Sequence, residues 1–177
     1  MRIKDWLSRL EKDLKLIGII SDTHIPARAK AIPKKVFEVF SDVSLILHAG
    51  DLNRLSVIEE LKQIAPVVAV YGNMDNREVK EKLTAITSVK IYSWDIGLTH
   101  HGGGFWGTKH LERIAAKNNF DVLVFGHTHR PFLKQGKNAL FFNPGSPTEP
   151  LPPFITKRCV GLLKISKKVI EPKIIHL

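Results

Sequence analysis

The sequence predicts an α/β fold, and three observations support this class. Short apolar runs of strand length recur along the chain, and most of them stop abruptly at small and polar residues. Amphipathic segments with helical spacing lie between the first of these runs. The chain has 177 residues, 44% of them hydrophobic, which suffices for one buried core but not for two ordinary domains. We therefore expect a single domain over residues 1–177.

Five strands are predicted from apolar runs that end in polar residues. They lie in the segments LKLIGII, DVSLILHAGD, APVVAVYGNMD, DIGLTHHGGG and FDVLVFGHTH. The C-terminal segment RCVGLLKISKKVIEPKIIHL differs, because apolar runs flank the pair Lys167 and Lys168. We expect this segment to form antiparallel strands around a turn at the two lysines.

The sequence also predicts helices. Apolar residues recur at helical spacing over residues 3–14, so we expect an amphipathic N-terminal extension, residues 1–15, that packs on the domain. Further helices are predicted over residues 33–40, 55–64 and 108–118. Strand, helix and strand at this spacing are typical of a sheet with crossovers, in which functional groups collect beyond the carboxyl ends of the strands.

The composition argues against several classes of protein. No apolar run approaches the roughly 18 residues of a membrane span, and the charged N-terminal residues lack the apolar core of a secretory signal. We therefore expect a cytoplasmic protein with no membrane span. The single cysteine, Cys159, cannot form an internal disulfide, so any metal must be held by His, Asp, Asn or Glu.

The chain is basic, with 27 Lys and Arg against 17 Asp and Glu and a formal net charge of +10. This charge permits an anionic partner, such as a phosphate-bearing small molecule or a nucleic acid, although lysines spread over every solvated face explain the same excess. No basic strand interleaved with aromatic residues occurs, so nucleic acid is permitted but not indicated. The sequence leaves a homo-oligomer open.

Residue types that bind metals collect at the ends of the predicted strands. They are Asp22, His24, Asp51, Asn73, Asp75, His100, His101, His127 and His129. Carboxylates, imidazoles and an amide oxygen suit a borderline divalent ion, and the set is too rich in nitrogen for a dedicated calcium or magnesium site. Seven or more candidate ligands with a shareable carboxylate fit two ions roughly 3.5–4 Å apart, an arrangement suited to phosphate hydrolysis.

The segment VFGHTHRP places two histidines one residue apart after an apolar run. In an extended segment alternate side chains point to the same side, so we expect His127 and His129 to reach adjacent metals with Thr128 on the opposite side. Gly126 is expected to let the backbone bend sharply at this point.

Five motifs occur in a fixed order, namely SDTH, HAGD, YGNMD, LTHH and GHTH. This set resembles the five blocks of the calcineurin-like metallophosphoesterase superfamily. It is most similar to the small prokaryotic phosphodiesterase branch, which also includes the retromer scaffold subunit. The resemblance covers about residues 16–165. It implies a four-layer αββα sandwich of two mixed β-sheets flanked by helices, with a metal site at the carboxyl ends of the strands.

The resemblance also implies ligands for two divalent metal ions. Asp22, His24 and His129 would hold one ion. Asn73, His100 and His127 would hold the other, and Asp51 would bridge both. Manganese is the first choice of metal, with nickel, iron, cobalt and zinc as alternatives. Aligning IGLTH on its strand selects His100 as the fourth-block ligand, whereas counting back from the following glycines selects His101.

The implied function is a metal-dependent phosphoesterase, in the first place a phosphodiesterase. A hydroxide bridging the two ions would attack phosphorus in line. Many members of the superfamily have a histidine after the asparagine of the third block as proton donor, but this chain has Met74. The proton for the leaving group would then come from Asp75, from His101 or from a metal-bound water.

Three further residues are predicted to contact the phosphate-ester substrate. Arg130 follows a ligand block directly, and Asn143 and Ser146 belong to a segment that resembles the closing loop of the family. Two alternative functions remain open at this point. One is a catalytically weak or inactive protein-interaction scaffold on the same fold, and the other is a nuclease.

Overall fold

The computed structural model describes residues 14–101, 108–149 and 157–177. Its strands are β1 (Lys15–Ile20), β2 (Leu45–His48), β3 (Val67–Ala69), β4 (Ile86–Ile91), β5 (Trp94–Thr99), β6 (Val122–Val124), β7 (Pro131–Gln135), β8 (Leu140–Pro144), β9 (Cys159–Ile165) and β10 (Ile170–His176). Its helices are α1 (Lys34–Val39), α2 (Ser56–Leu61), α3 (Arg77–Lys82) and α4 (Lys109–Asn118).

The strands form two mixed sheets of five strands each. In the first sheet, in the order β10-β9-β1-β2-β3, the last three strands run parallel and β9 pairs antiparallel with both β1 and β10. In the second sheet, in the order β4-β5-β6-β8-β7, the three central strands are parallel and the two edge strands are antiparallel to their neighbours. The predicted C-terminal hairpin is confirmed by the pairing of β9 with β10.

The two sheets pack face to face around an apolar core. Side chains alternate along β1, so that Ile17 and Ile19 point towards the second sheet while Ile20 points to the other face. From the second sheet, Val122 and Phe142 join the same core. All five side chains are fully buried, which accounts for the near-continuous apolar runs in the sequence.

Helices cover the outer faces of both sheets. The first sheet packs against α1, α2 and α3, whose buried apolar residues include Val36, Val57 and Val79. The second sheet packs against α4 through Leu111 and Ala115. The α/β class and the four-layer αββα arrangement predicted from the sequence are therefore confirmed.

Some elements differ from the sequence prediction. The three predicted helices over 33–40, 55–64 and 108–118 contain α1, α2 and α4, each shorter than or equal to the prediction. Helix α3, which buries a single residue, Val79, and the edge strands β4 and β7 were not predicted.

The predicted helix over residues 3–14 lies outside the described residues, except for Leu14, which precedes β1 without helical structure. Lys15, assigned to the same extension, begins β1. None of the helices in the described ranges is long and apolar enough to cross a membrane.

Candidate metal centre

The predicted ligands lie at one end of the sandwich, because each follows a strand whose carboxyl end points there. Asp22 and His24 follow β1, Asp51 follows β2, Asn73 and Asp75 follow β3, His100 follows β5, and His127 and His129 follow β6. The parallel strands of both sheets thus converge on a single cluster, at the carboxyl ends where α/β folds commonly place their sites.

Three of the loops share one backbone conformation, a three-residue segment whose first and third residues have positive φ. The angles are 55° and 47° at Asp22 and His24, 55° and 72° at Asp51 and Asn53, and 73° and 54° at His127 and His129. Asp, Asn and His enter this left-handed region more readily than other non-glycine residues. The prediction that His127 and His129 sit in an extended segment is therefore wrong, although the two side chains do reach adjacent groups of ligands.

The first group consists of Asp22, His24 and His129, all of which are buried. The Nε2 atoms of His24 and His129 are 3.0 Å apart, and Nε2 of His129 is 3.4 Å from Oδ1 of Asp22. The two imidazole rings stack with their centroids 4.9 Å apart. These three side chains lie close enough together to hold one metal ion.

The second group meets at the side chain of Asn73. Nε2 of His100 lies 3.1 Å from Oδ1 of Asn73, and Nδ1 of His127 lies 2.9 Å from the same oxygen. His100 is buried and His127 half-buried, whereas Asn73 is exposed. A further combination, Asp22 with Asp51 and His100, is also compact enough to hold an ion.

The carboxylate of Asp51 stands between the two groups. Its Oδ2 is 3.2 Å from Nε2 of His100 and 3.7 Å from Nε2 of His24. Its other oxygen accepts a hydrogen bond from the backbone N–H of Met74 at 2.8 Å. Burial alone would raise the pKa of Asp51, but the hydrogen bond and charge of His100 and the N–H of Met74 hold it below its usual value.

The hydrogen-bond partners of the imidazoles fix which nitrogen faces the cluster. Nδ1 of His100 is 2.7 Å from the carbonyl of Ala49, and Nδ1 of His129 is 2.6 Å from the carbonyl of Glu149. Because a carbonyl oxygen only accepts, both Nδ1 atoms carry a proton, so in the neutral imidazole each Nε2 presents a lone pair to the cluster. In the protonated imidazole, Nε2 of His100 instead donates to the carboxylate of Asp51. Such partners commonly orient histidines that bind metals.

This donor set fits a bound cation. If His24 also carries its ring proton on Nδ1, the Nε2 lone pairs of His24 and His129 face each other across 3.0 Å and cannot bond to one another. Burial raises the pKa of Asp22 to about 6, although the charges of His100 and His129 lower it. The neighbouring side chains therefore do not fully offset the cost of burying this carboxylate. A divalent ion would satisfy both the facing nitrogens and the buried carboxylate.

Of the two adjacent histidines in LTHH, the structure places His100 inside the cluster. The side chain of His101 is exposed, and its ring centroid lies 4.7 Å from that of His127. Arg130 is exposed directly after His129. His101 and Arg130 therefore lie at the rim of the site rather than among the buried donors.

Asp75, a predicted proton donor, is buried and already bonded by the backbone. Its Oδ1 accepts from the N–H of Asn53 at 2.5 Å, and its Oδ2 accepts from the N–H groups of Gly72 and Asp51 at 2.7 and 3.1 Å. Burial raises the pKa of Asp75, and these N–H groups oppose the rise. The geometry does not support proton donation to a leaving group, because both oxygens are held by main-chain donors.

Asn143 and Ser146, predicted to contact the substrate, are fully buried. The amide of Asn143 donates to the carbonyl of Gly126 at 2.8 Å and accepts from the N–H of Gly145 at 2.8 Å. The hydroxyl of Ser146 donates to the carbonyl of Asp22 at 2.8 Å. The geometry does not support substrate contact by either side chain, because both brace the loops that carry the candidate ligands.

Several residues beneath the site were not among the individually predicted site residues. His48 is fully buried with Nε2 3.1 Å from the hydroxyl of Thr23, and burial lowers its pKa to about 3. Thr148 donates to the carbonyls of Asp22 and Thr23 at 3.2 and 3.0 Å. Asn53 was also missed, although DLN at 51–53 repeats the spacing of DTH at 22–24 and could have marked it.

Comparison with known proteins agrees with this geometry. The family model described as the calcineurin-like phosphoesterase superfamily domain matches residues 16–168. The chain belongs to this superfamily. A probable metallophosphoesterase of Methanothermobacter thermautotrophicus is 42% identical over 162 residues, which cover 91% of this chain and 92% of the relative. A phosphodiesterase of Methanocaldococcus jannaschii is 33% identical over 145 residues, covering 73% and 82% of the two chains.

The superfamily fold is also seen in a solved structure from a eukaryote. The zinc complex of Vps29 from Entamoeba histolytica is 26% identical, covers 91% of this chain and 98% of its own, and superposes with a TM-score of 0.74. As a member of the calcineurin-like superfamily, the chain carries a phosphoesterase domain with clustered Asp and His residues that could bind metal.

Proposed function

We propose that the protein is a dinuclear metal-dependent phosphodiesterase. Asp22, His24 and His129 would hold one ion, and Asn73, His100 and His127 the other. The observation that carries this proposal is the position of Asp51, whose Oδ2 faces an imidazole nitrogen of each group, which supports a bridging role.

The side chains would bind and orient the reacting groups. When bound, the two ions would lower the pKa of water at the site and neutralise charge developing on the phosphate. His100 and His129 are held by main-chain carbonyls, so their lone pairs need no reorientation. Arg130, at the rim beside His129, is proposed to contact the substrate phosphate. Asn143 and Ser146 are proposed to position the ligand loops instead.

The rim favours esters with good leaving groups. Met74 lies 49% exposed at the position after Asn73, and a thioether cannot donate a proton. Asp75 is bonded to three backbone N–H groups and is proposed to position the loops rather than to act as the acid. We therefore infer that aryl diesters are hydrolysed more readily than alkyl diesters, whose leaving groups would have to take their proton from His101 at the rim or from water.

A protein-interaction scaffold is a second candidate, because the fold is shared with Vps29, a protein named for vacuolar protein sorting. The buried donor set argues against it as the sole function. Burying two carboxylates and three imidazoles costs free energy, which a bound cation would offset and a scaffold would not need.

The test combines metal content with turnover. We would measure metals in the purified protein by elemental analysis, and hydrolysis of bis(p-nitrophenyl) phosphate with added manganese, for the wild type and Asp51→Asn. We expect about two metals per chain in the wild type, and a loss of turnover of ~100-fold or more in the variant, or ~2.7 kcal/mol. Asp42→Asn, at an exposed turn, is the matched control and should behave as wild type.

The other outcomes decide between the candidates. Absence of both bound metal and turnover with manganese, nickel, iron, cobalt and zinc would contradict the enzyme and favour the scaffold. One metal per chain with full turnover would contradict the dinuclear centre while leaving the phosphodiesterase intact.

A further inference from the structure

The side chain of Asn53 contacts two of the ligand-bearing loops at once. Its Oδ1 lies 3.2 Å from Nδ1 of His24, in the loop after β1. Its Nδ2 donates a hydrogen bond of 2.7 Å to the main-chain carbonyl of Met74, in the loop after β3. Asn53 itself follows β2, so a single half-buried amide connects three loops of the candidate metal centre.

The contact with Met74 determines how the amide is oriented. A main-chain carbonyl only accepts hydrogen bonds, so the group that faces Met74 has to be the NH₂ of Asn53. The amide oxygen then faces His24 and is itself an acceptor. Nδ1 of His24 must therefore carry the ring proton, which leaves its Nε2 unprotonated towards His129 and Asp51.

His24 differs in this respect from two other imidazoles of the cluster. The Nδ1 atoms of His100 and His129 are held by the main-chain carbonyls of Ala49 and Glu149, which no substitution of those residues removes. The tautomer of His24 instead depends on a side chain. It can therefore be changed without altering any candidate ligand.

The backbone holds the amide of Asn53 in place. Its φ is 72°, a left-handed value that asparagine tolerates better than most residues. Its N–H donates to Oδ1 of Asp75 at 2.5 Å, which ties the main chain to the same buried carboxylate that accepts from Gly72 and Asp51. The side chain thus projects towards His24 from an anchored position.

We propose that Asn53 is a positioning residue that fixes His24 in the tautomer protonated on Nδ1 and so directs the lone pair of Nε2 towards the bound ion. The inference rests on the proposed function in one respect, namely that His24 is a metal ligand. The orientation of His24 by Asn53 is a property of the metal-free protein.

The test is the tautomer of His24 in the metal-free chain, read from ¹⁵N chemical shifts in protein with labelled histidine. In the wild type we expect His24 to be protonated on Nδ1. Asn53→Gly removes the amide and tolerates the positive φ, and we expect the His24 signals to move towards the Nε2-protonated form. The signals of His100 and His129 should stay unchanged and serve as internal controls.

Two further variants test whether the effect on His24 comes from the acceptor of Asn53 rather than from the glycine substitution itself. Asn119→Gly makes the same change at another left-handed asparagine, φ 55°, at the exposed end of α4, and should leave His24 unchanged. Asn53→Asp keeps an acceptor for His24 but loses the donor to Met74, so we expect the His24 signals to keep the wild-type pattern. Manganese affinity should fall about 10–100-fold in Asn53→Gly and be largely recovered in Asn53→Asp.

An unchanged His24 tautomer in Asn53→Gly would overturn the proposal. If that variant does not fold, the wild-type spectrum decides, since a His24 protonated on Nε2 in the metal-free wild type would contradict the proposal and protonation on Nδ1 would support it. A wild type that binds no ion would contradict the proposed function but not the tautomer result, so the two failures are distinguishable.

Discussion

The two groups of candidate ligands differ in burial and in the hydrogen bonds that hold them in place. Asp22, His24 and His129 are 0%, 1% and 5% exposed, and the loop at residues 146–149 braces their main chain and side chains. In the second group only His100 is buried, while the side chains of His127 and Asn73 contact each other nearer the surface. The first group is therefore more strongly preorganised than the second.

Removing one ligand from each group tests whether the two groups bind metal independently. His24→Ala should lose both metal binding in the first group and turnover, by ~100-fold or more, or ~2.7 kcal/mol. His127→Ala should retain about one tightly bound ion per chain, because the buried group stays intact. Metal content after dialysis against increasing chelator, with kcat/KM in parallel, measures both. Equal loss of both ions in the two variants would show that the groups are not independent.

The close packing around the first group can be tested at Gly126. A Cβ at Gly126 would meet the hydroxyl of Ser21 and lie 2.8 Å from Oδ2 of Asp22, so Gly126→Ala should push on the first group. We expect a loss of about 1–3 kcal/mol of unfolding free energy, measured by urea denaturation, with weakened metal binding. Gly18→Ala is the control, since its Cβ would be 3.1 Å from ring atoms of Phe40, far from the cluster. Its cost should be confined to stability.

His48, which lies beneath the first group, should make the unfolding free energy depend on pH. Burial lowers the pKa of His48 to about 3, whereas an unfolded histidine titrates near 6.5. Between these values the unfolded chain binds a proton that the folded protein does not, so stability falls as the pH drops below 6.5. The slope due to His48 is at most about 1.4 kcal/mol per pH unit. His48→Gln should flatten the fall in unfolding free energy between pH 7 and 5 for the metal-free chain, and an unchanged slope would contradict this assignment.

The central strands and the clustering of the candidate ligands could be predicted from the sequence for physical reasons. Ile17 and Ile19 are buried on one face of β1 and Ile20 on the other, which produces the continuous apolar run that marks a central parallel strand. The polar residues after such runs had to meet, because parallel strands bring their carboxyl ends to the same side. The clustering of Asp22, Asp51 and His100 follows from this topology.

The roles of the supporting residues could not be predicted, because they depend on contacts between loops far apart in the chain. Ser146 was expected at the substrate, yet its hydroxyl reaches the carbonyl of Asp22 inside the protein. Asp75 carries a titratable side chain, but only the folded loops show that backbone N–H groups occupy both its oxygens. The left-handed backbone at His127 and His129 likewise has no apolar pattern that could reveal it.

Strand β1 lies in the middle of the first sheet, between β2 and β9. Its partner β2 is synthesised soon after it, whereas β9 consists of residues 159–165. During translation one edge of β1 therefore stays unpaired until most of the domain has left the ribosome, which prolongs the exposure of an apolar strand to other chains. The loop that braces Asp22 and His129 also emerges late, at residues 146–149. The contacts that hold Asp22 and His129 can therefore form only once residue 149 has been synthesised.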